Sequence, residues 1–158
     1  MIQISGKTIR QAFNESCRKW PNKSFLCSPS TSEDNLIELS FKKVKKLVEY
    51  WSTILRESGY GSGQRVALLL GTNTDHYIFK LALNNIGISC VPINPDYTQS
   101  EIIYLLEDSS ADLVITNKKF EEIISSQFYH QKVAQMCLYL KKNIKIFPDQ
   151  KLFQLKKR

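Results

Sequence analysis

Asp75 and His76 stand side by side in TNTDHYIF, and a carboxyl beside an imidazole is a pairing that general acid–base chemistry uses. Neighbours in sequence do not face each other on a helix. The pair is therefore read as part of a helix start, with His76 at or near the surface. Asn94 and Asp96 flank Pro95 in VPINPDYT. They could line a pocket with an amide and a carboxylate, but Asn and Asp beside Pro are also ordinary turn formers. GYGSG, from Gly59 to Gly63, has the small residues of a phosphate loop. It precedes a strand-like run rather than a helix and no Lys-Ser/Thr follows, so it is expected to be a turn. Tyr60 and Tyr77 are expected to pack. The cysteines at 17, 27, 90 and 137 and the histidines at 76 and 130 have no ligand-like spacing. That argues against zinc and for free thiols in a reducing cytoplasm. On these grounds no catalytic, cofactor-binding or metal-binding residue is assigned in this chain.

The elements that would have to position such residues are easier to read. Thr8 to Trp20 is a helix with Thr8 as N-cap and Pro21 as its stop. KSFLCS and LIELS form a hairpin around PSTSEDN. Ser40 caps a long helix, Phe41 to Ser58, whose apolar stripe is Val44, Leu47, Val48, Trp51, Ile54 and Leu55. RVALLL, ISCVPI and DLVIT are apolar runs without alternation, as in strands covered on both faces. Between them lie two helices, one capped at Thr74 and closed by Gly87, the other opened by a Thr98-x-x-Glu101 capping box. KKFEEIISSQF is a further short helix, with a continuation into 128–142 left open. Strand, helix, strand, helix, strand predicts an α/β fold: a parallel sheet with flanking helices, preceded by a small hairpin. Pro92 and Pro95 must fall where the middle strand finishes, at the C-terminal edge where α/β sheets usually bind ligands.

With 158 residues and 42% hydrophobic content the chain has room for a real core. No apolar run is long enough for a membrane span. The N-terminus lacks the pattern of a signal peptide, so a cytoplasmic location is expected. The net charge of +7 is uneven: residues 118–158 hold ten Lys/Arg and three acids, whereas residues 1–117 balance at twelve of each. Such a tail can attract nucleic acid or anionic lipid. It carries no nucleic-acid motif, and no specific nucleic-acid partner is expected.

Three stretches together resemble the N-terminal region of the adenylate-forming (AMP-binding) ligase superfamily, most like acyl-CoA synthetases. LSFKKVKKLVEYWSTIL is similar to the early L-[ST]-[YF] helix of that family. GYGSGQRVALLLGTNTDHYIFKLALNNIGISCVPINP is similar to its G-[VI]-x-x-G-D-x-V block and the following P-[IL]-[ND]-P. YTQSEIIYLLEDSSADLVIT is similar to its next helix–strand block. The likeness covers about residues 5–125, with Gln64 where the family usually has Asp and Gly71 where Pro is common. From about Gln127 it fades. Residues 1–126 are thus read as the N-terminal subdomain of an AMP-dependent synthetase/ligase and 127–158 as a basic, divergent tail.

The resemblance implies a two-step reaction: a carboxylate of a fatty or other acyl acid is activated by ATP to an acyl-adenylate, which then forms a thioester with CoA. ATP, Mg²⁺ and CoA are the cofactors implied for the full-length family. The family's Ser/Thr/Gly-rich phosphate loop ending in Pro-Lys-Gly has no counterpart here. This chain alone is therefore expected to be inactive and to bind none of them. The implied partner is the missing remainder of the ligase, or another polypeptide, at an open sheet edge. The alternatives are a non-catalytic α/β interaction or split-partner module, or an amino-acid adenylation fragment. An independent nucleotide-binding domain is disfavoured because no G-x-G-x-x-G follows any strand.

Overall fold

The computed structural model describes residues 6–29, 36–120, 123–124 and 150–154. Their contacts divide the chain into two units that alternate along the sequence. One comprises 1–61 with 73–87, the other 62–72 with 88–158.

The first unit holds three helices and a hairpin. α1 (Ile9–Lys19) is opened by Thr8, whose hydroxyl accepts from the Gln11 N–H while the Gln11 side chain accepts from the Thr8 N–H. This capping box satisfies two backbone donors that the first turn leaves open. β1 (Ser24–Pro29) and β2 (Leu36–Ser40) pair antiparallel, with an irregularity between Ser24 and Leu26. α2 (Phe41–Glu57) starts at once from the Ser40 cap, and its buried side is Val44, Val48, Trp51, Ser52 and Leu55. α3 (Thr74–Asn85) buries Ile78, Phe79, Ala82 and Leu83. The expected cap at Thr74 sits one residue earlier: the Asn73 amide oxygen accepts from the His76 N–H at 3.0 Å. An Asn is as good a cap as Thr, and here it takes the extended backbone that a cap requires.

Aromatic rings tie these elements together. Phe25 of β1 stacks on Phe41 at 4.4 Å and meets Phe13 at 5.6 Å, and Trp51 packs on Phe79 at 4.6 Å. A polar link joins α2 and α3. The Ser52 hydroxyl donates to the Ala82 carbonyl at 3.2 Å and accepts from the Asn85 amide at 3.0 Å.

The second unit is a four-stranded sheet in the order β4-β3-β5-β6 with one helix. β3 (Arg65–Leu69) lies between β4 (Ser89–Pro92) and β5 (Leu113–Asn117), parallel to both. β6 (Gln150–Gln154) joins β5 antiparallel, so the sheet is not wholly parallel, and the expectation of a basic tail without a strand is corrected. α4 (Gln99–Asp108) follows the expected Thr98–Glu101 capping box. Its Ile102 and Leu106, one turn apart, pack with Ala67, Leu69 and Val114 in one buried cluster. Val66, Leu68, Leu113 and Ile115 point to the opposite side and are equally buried. After β5 the chain makes a 3₁₀ turn over Lys118–Phe120 and is again helical at Ile123–Ile124, where a short helix was expected. The proposed continuation into 128–142 lies outside the described residues.

Candidate functional site

The sheet edge singled out by the sequence is formed by the C-terminal ends of β3, β4 and β5. Two hydrogen bonds set the side that each residue of β4 presents: Ser89 N–H donates to the Gln64 carbonyl at 2.9 Å and Ile93 N–H to the Leu68 carbonyl at 3.0 Å. In a parallel strand alternate residues bond to alternate sides. Ser89, Val91 and Ile93 therefore serve β3, while Pro92 faces outward, where its missing N–H costs no ladder bond. Pro92 is the last residue of β4 and lies opposite Leu68. The proline is tolerated both because the strand finishes there and because β4 is the outermost strand.

The polar groups of this edge are used to build it. Thr116, fully buried, donates its hydroxyl to the Leu69 carbonyl at 2.9 Å. The Asn94 side chain accepts from the Asp96 N–H at 3.1 Å, the local turn that Asn beside Pro favours, and Asn117 does the same for the Lys119 N–H. Gly71, just past β3, has φ +74°, and a Cβ there would lie 3.8 Å from the Pro95 ring. The space is adequate, but the left-handed backbone excludes proline, which locks φ near −65°. This chain thus makes its own turn where the family often has Pro.

At the opposite end of the same strands Asp112 makes a reciprocal clamp. Its carboxylate accepts from the Arg65 N–H at 2.9 Å, its own N–H donates to the Arg65 carbonyl at 2.8 Å, and the Arg65 guanidinium reaches the Ser109 carbonyl at 3.0 Å. In the sequence Asp112 only opens the strand-like run DLVIT. An acid preceding an apolar run was the only signal available.

Asp75 and His76 occupy the first turn of α3 in the other unit, both half-buried. Burial raises the Asp75 carboxyl from 3.8 to about 7. It also lowers the His76 imidazole, with Lys80 adding to the effect. The His76 ring meets Tyr77 edge-on at 5.7 Å. Tyr60 is buried as expected, but Tyr77 is 45% exposed, because its position on α3 falls beside the buried Ile78–Phe79 stripe rather than in it. GYGSG is a turn: Gly59 and Gly63 have φ of +85° and +89°, and the N–H groups of Gly59 and Tyr60 close the end of α2 on the Arg56 and Leu55 carbonyls.

The first unit also has a surface cleft of about 620 Å³ with Phe13 and Val48 among its lining residues and Arg10, Arg18, Lys45 and Glu49 among the charged ones. The acids there are held by lysines: Lys7 pairs with Glu15, keeping that carboxyl below its usual range, and Lys45 lies 3.6 Å from Glu49. Arg10 reaches the Asn85 carbonyl at 3.4 Å, placing a cation at the C-terminal end of α3, whose last turn has no base of its own. Cys17, Cys27 and Cys90 form no disulfide among the described residues, and Cys137 lies outside them. Among the described residues no three His, Cys, Asp or Glu side chains gather as a metal centre requires, and no helix is long and apolar enough to cross a membrane.

A sheet of this order, with three parallel strands and one antiparallel, edged by a P-I-N-P turn and preceded by a hairpin and a long capped helix, can be compared with known proteins. A family model described as AMP-binding enzyme matches residues 13–152. The chain belongs to the AMP-binding enzyme family. It is 34% identical over 121 residues to tyrocidine synthase 2 of Brevibacillus parabrevis, covering 77% of this chain and 3% of that one. It is 26% identical over 117 residues to a crotonobetaine/carnitine–CoA ligase of Citrobacter koseri, covering 74% and 22%. The structure of the N-terminal domain of FACL13 from Mycobacterium tuberculosis superposes with a TM-score of 0.66 at 22% identity, over 80% of this chain and 31% of that one. The adenylate-forming resemblance read from the motifs is thus confirmed, and the fold is that of the N-terminal part of these ligases. The chain spans only a small share of the length of the curated relatives it matches.

Proposed function

We propose that this chain supplies the N-terminal scaffold of an ATP-dependent adenylate-forming ligase, which activates a carboxylate as an acyl-adenylate and passes it to a thiol such as CoA. The observation that carries the reading is the family match across residues 13–152 together with a sheet edge built by Gly71, Pro92 and Thr116. The chain's own residues do not fit the triphosphate or Mg²⁺. The only Gly-rich stretch is the turn after α2, which precedes a strand and lacks a lysine, and the described residues contain no cluster of acids. No step through ATP, Mg²⁺ or CoA is therefore assigned to them. The partner in this reading is the remainder of a ligase polypeptide, and the compartment is the cytoplasm, in keeping with three cysteines that form no disulfide among the described residues.

For the carboxylate, an acyl acid destined for CoA is one reading, supported by the resemblance to the CoA ligase. A second reading, an amino acid, is favoured by the higher identity to tyrocidine synthase 2.

The test is pyrophosphate release from ATP and Mg²⁺ by the purified chain, with fatty acids and with amino acids. We expect none above buffer. Grafting residues 1–126 in place of the matching segment of the tyrocidine synthase 2 or CoA-ligase relative should leave that relative's pyrophosphate exchange measurable. Loss of exchange in a graft that still folds would overturn the scaffold reading, and turnover by the chain alone would overturn its inertness.

A further inference from the structure

Two segments far apart in sequence, 16–24 and 39–48, contain seven Lys/Arg and no Asp or Glu. The fold brings them together. The N–H of Phe41 donates to the Lys23 carbonyl at 3.1 Å, that of Lys42 donates to the Pro21 carbonyl at 2.9 Å, and the Cys17 thiol reaches the Phe41 carbonyl at 3.7 Å. The turn after α1 is thereby fastened to the start of α2. The surface that results exposes Lys19, Trp20, Lys23, Lys42, Lys43 and Lys46. Lys45, which shares the segment, is paired with Glu49; none of the five exposed lysines has an ion-pair partner among the described residues.

Placing these charges here is unfavourable for the isolated fold. α2 has no acid in its first turn, so Lys42 and Lys43 oppose the positive end of the helix dipole. Lys46 lies three and four residues on, where like charges repel. A local rule broken without internal compensation points to function. Between two of these lysines in sequence is Trp20, 38% exposed, with the Lys19 ammonium 4.7 Å and the Lys23 ammonium 5.5 Å from its ring centroid.

We infer that this face docks the protein on an anionic phospholipid surface, with Trp20 at the headgroup level and the five lysines on lipid phosphates. An amphipathic indole flanked by long lysine stems suits the membrane interface, where the stems lie along the apolar boundary and the ammonium groups stay with the headgroups. A cluster of four to eight basic residues is what such surfaces attract. Single-stranded nucleic acid is the poorer match: its bases would need the face of Trp20, which the two ammonium groups attend, and the patch offers point charges rather than arginine forks.

The test is co-sedimentation of the full chain with phosphatidylcholine vesicles, with and without phosphatidylglycerol, at low and raised salt. Binding is expected only to the anionic vesicles and is expected to weaken with salt. It should be accompanied by a blue shift of Trp20 emission; Trp51 is 2% exposed and serves as a constant background. Lys42→Gln/Lys43→Gln/Lys46→Gln should weaken binding roughly a hundredfold, at about 1 kcal/mol per lysine, while Tm stays level or rises. The triple Lys→Arg variant should restore it. Three results would each overturn the inference. The first is equal binding to neutral vesicles, and the second is full competition by a DNA oligonucleotide. The third is binding that survives the Gln variant but is lost when Lys156, Lys157 and Arg158 are neutralised.

Discussion

Asp75 is the residue whose protonation the fold alters most plainly. Its carboxyl rises from 3.8 to about 7 through burial, so between those values the native state keeps a proton that the unfolded chain has released. Stability must therefore fall as pH rises through that window. His76 works the other way: its lowered value makes the unfolded chain the better proton binder just below 6.5, so stability rises there. Asp75→Asn isolates the first effect. The variant should match the parent at about pH 4 and exceed it at about pH 8 in urea unfolding; a variant less stable than the parent at the higher pH would count against the burial argument. Asp112→Ala should destabilise by about 2 kcal/mol, because it leaves the Arg65 N–H without its carboxylate partner. Amide exchange at Arg65 should quicken correspondingly. Neither effect could be read from the sequence, since the first depends on how deeply the fold buries Asp75 and the second on its bringing Arg65 and Asp112 within 2.9 Å of each other.

At the scale of elements, the sequence was most legible where a local signal decides the outcome. Thr8, Ser40 and Thr98 each cap the helix expected of them, and the apolar runs of β3, β4 and β5 became the parallel strands. Asn73 displaced Thr74 as a cap because both residues are competent and only the backbone chooses between them. β6 was not foreseen, because a five-residue strand in a Lys-rich stretch has no pattern of its own and exists through its pairing with β5. The polar edge was legible as a place, through Pro92 and Pro95, but not in its wiring: Thr116 looked like one more strand residue, and its bond to the Leu69 carbonyl is a long-range contact. The turn from α4 to β5 is locally strained. Ser110 has φ +50°, the only positive value outside glycine among the described residues, at the position past a helix end that glycine prefers. Ser110→Gly should therefore raise stability by up to about 1 kcal/mol, read as a rise in Tm. Thr98→Ala should lower it by about 1 kcal/mol through loss of the capping box.

For the whole molecule, the sheet has two unlike borders. β4 forms one border and presents Pro92 outward, whereas the other is β6, the strand that pairs antiparallel with β5. Pro92→Val restores an outward N–H and adds a strand-favouring side chain at the unprotected border, so self-association should increase, as light scattering across a concentration series would detect. The two units alternate along the chain, with 73–87 completing the first and 88–158 the second. On the ribosome, α2 is made long before the carbonyl of Ala82 that the Ser52 hydroxyl needs, and β3 emerges before either strand that flanks it. The first unit cannot close until residue 87 is made, and by then only β3 of the second has been translated. A pause near Gly87 would leave the first nearly whole and the second as a single apolar ribbon, the stage at which a nascent chain has most need of a chaperone.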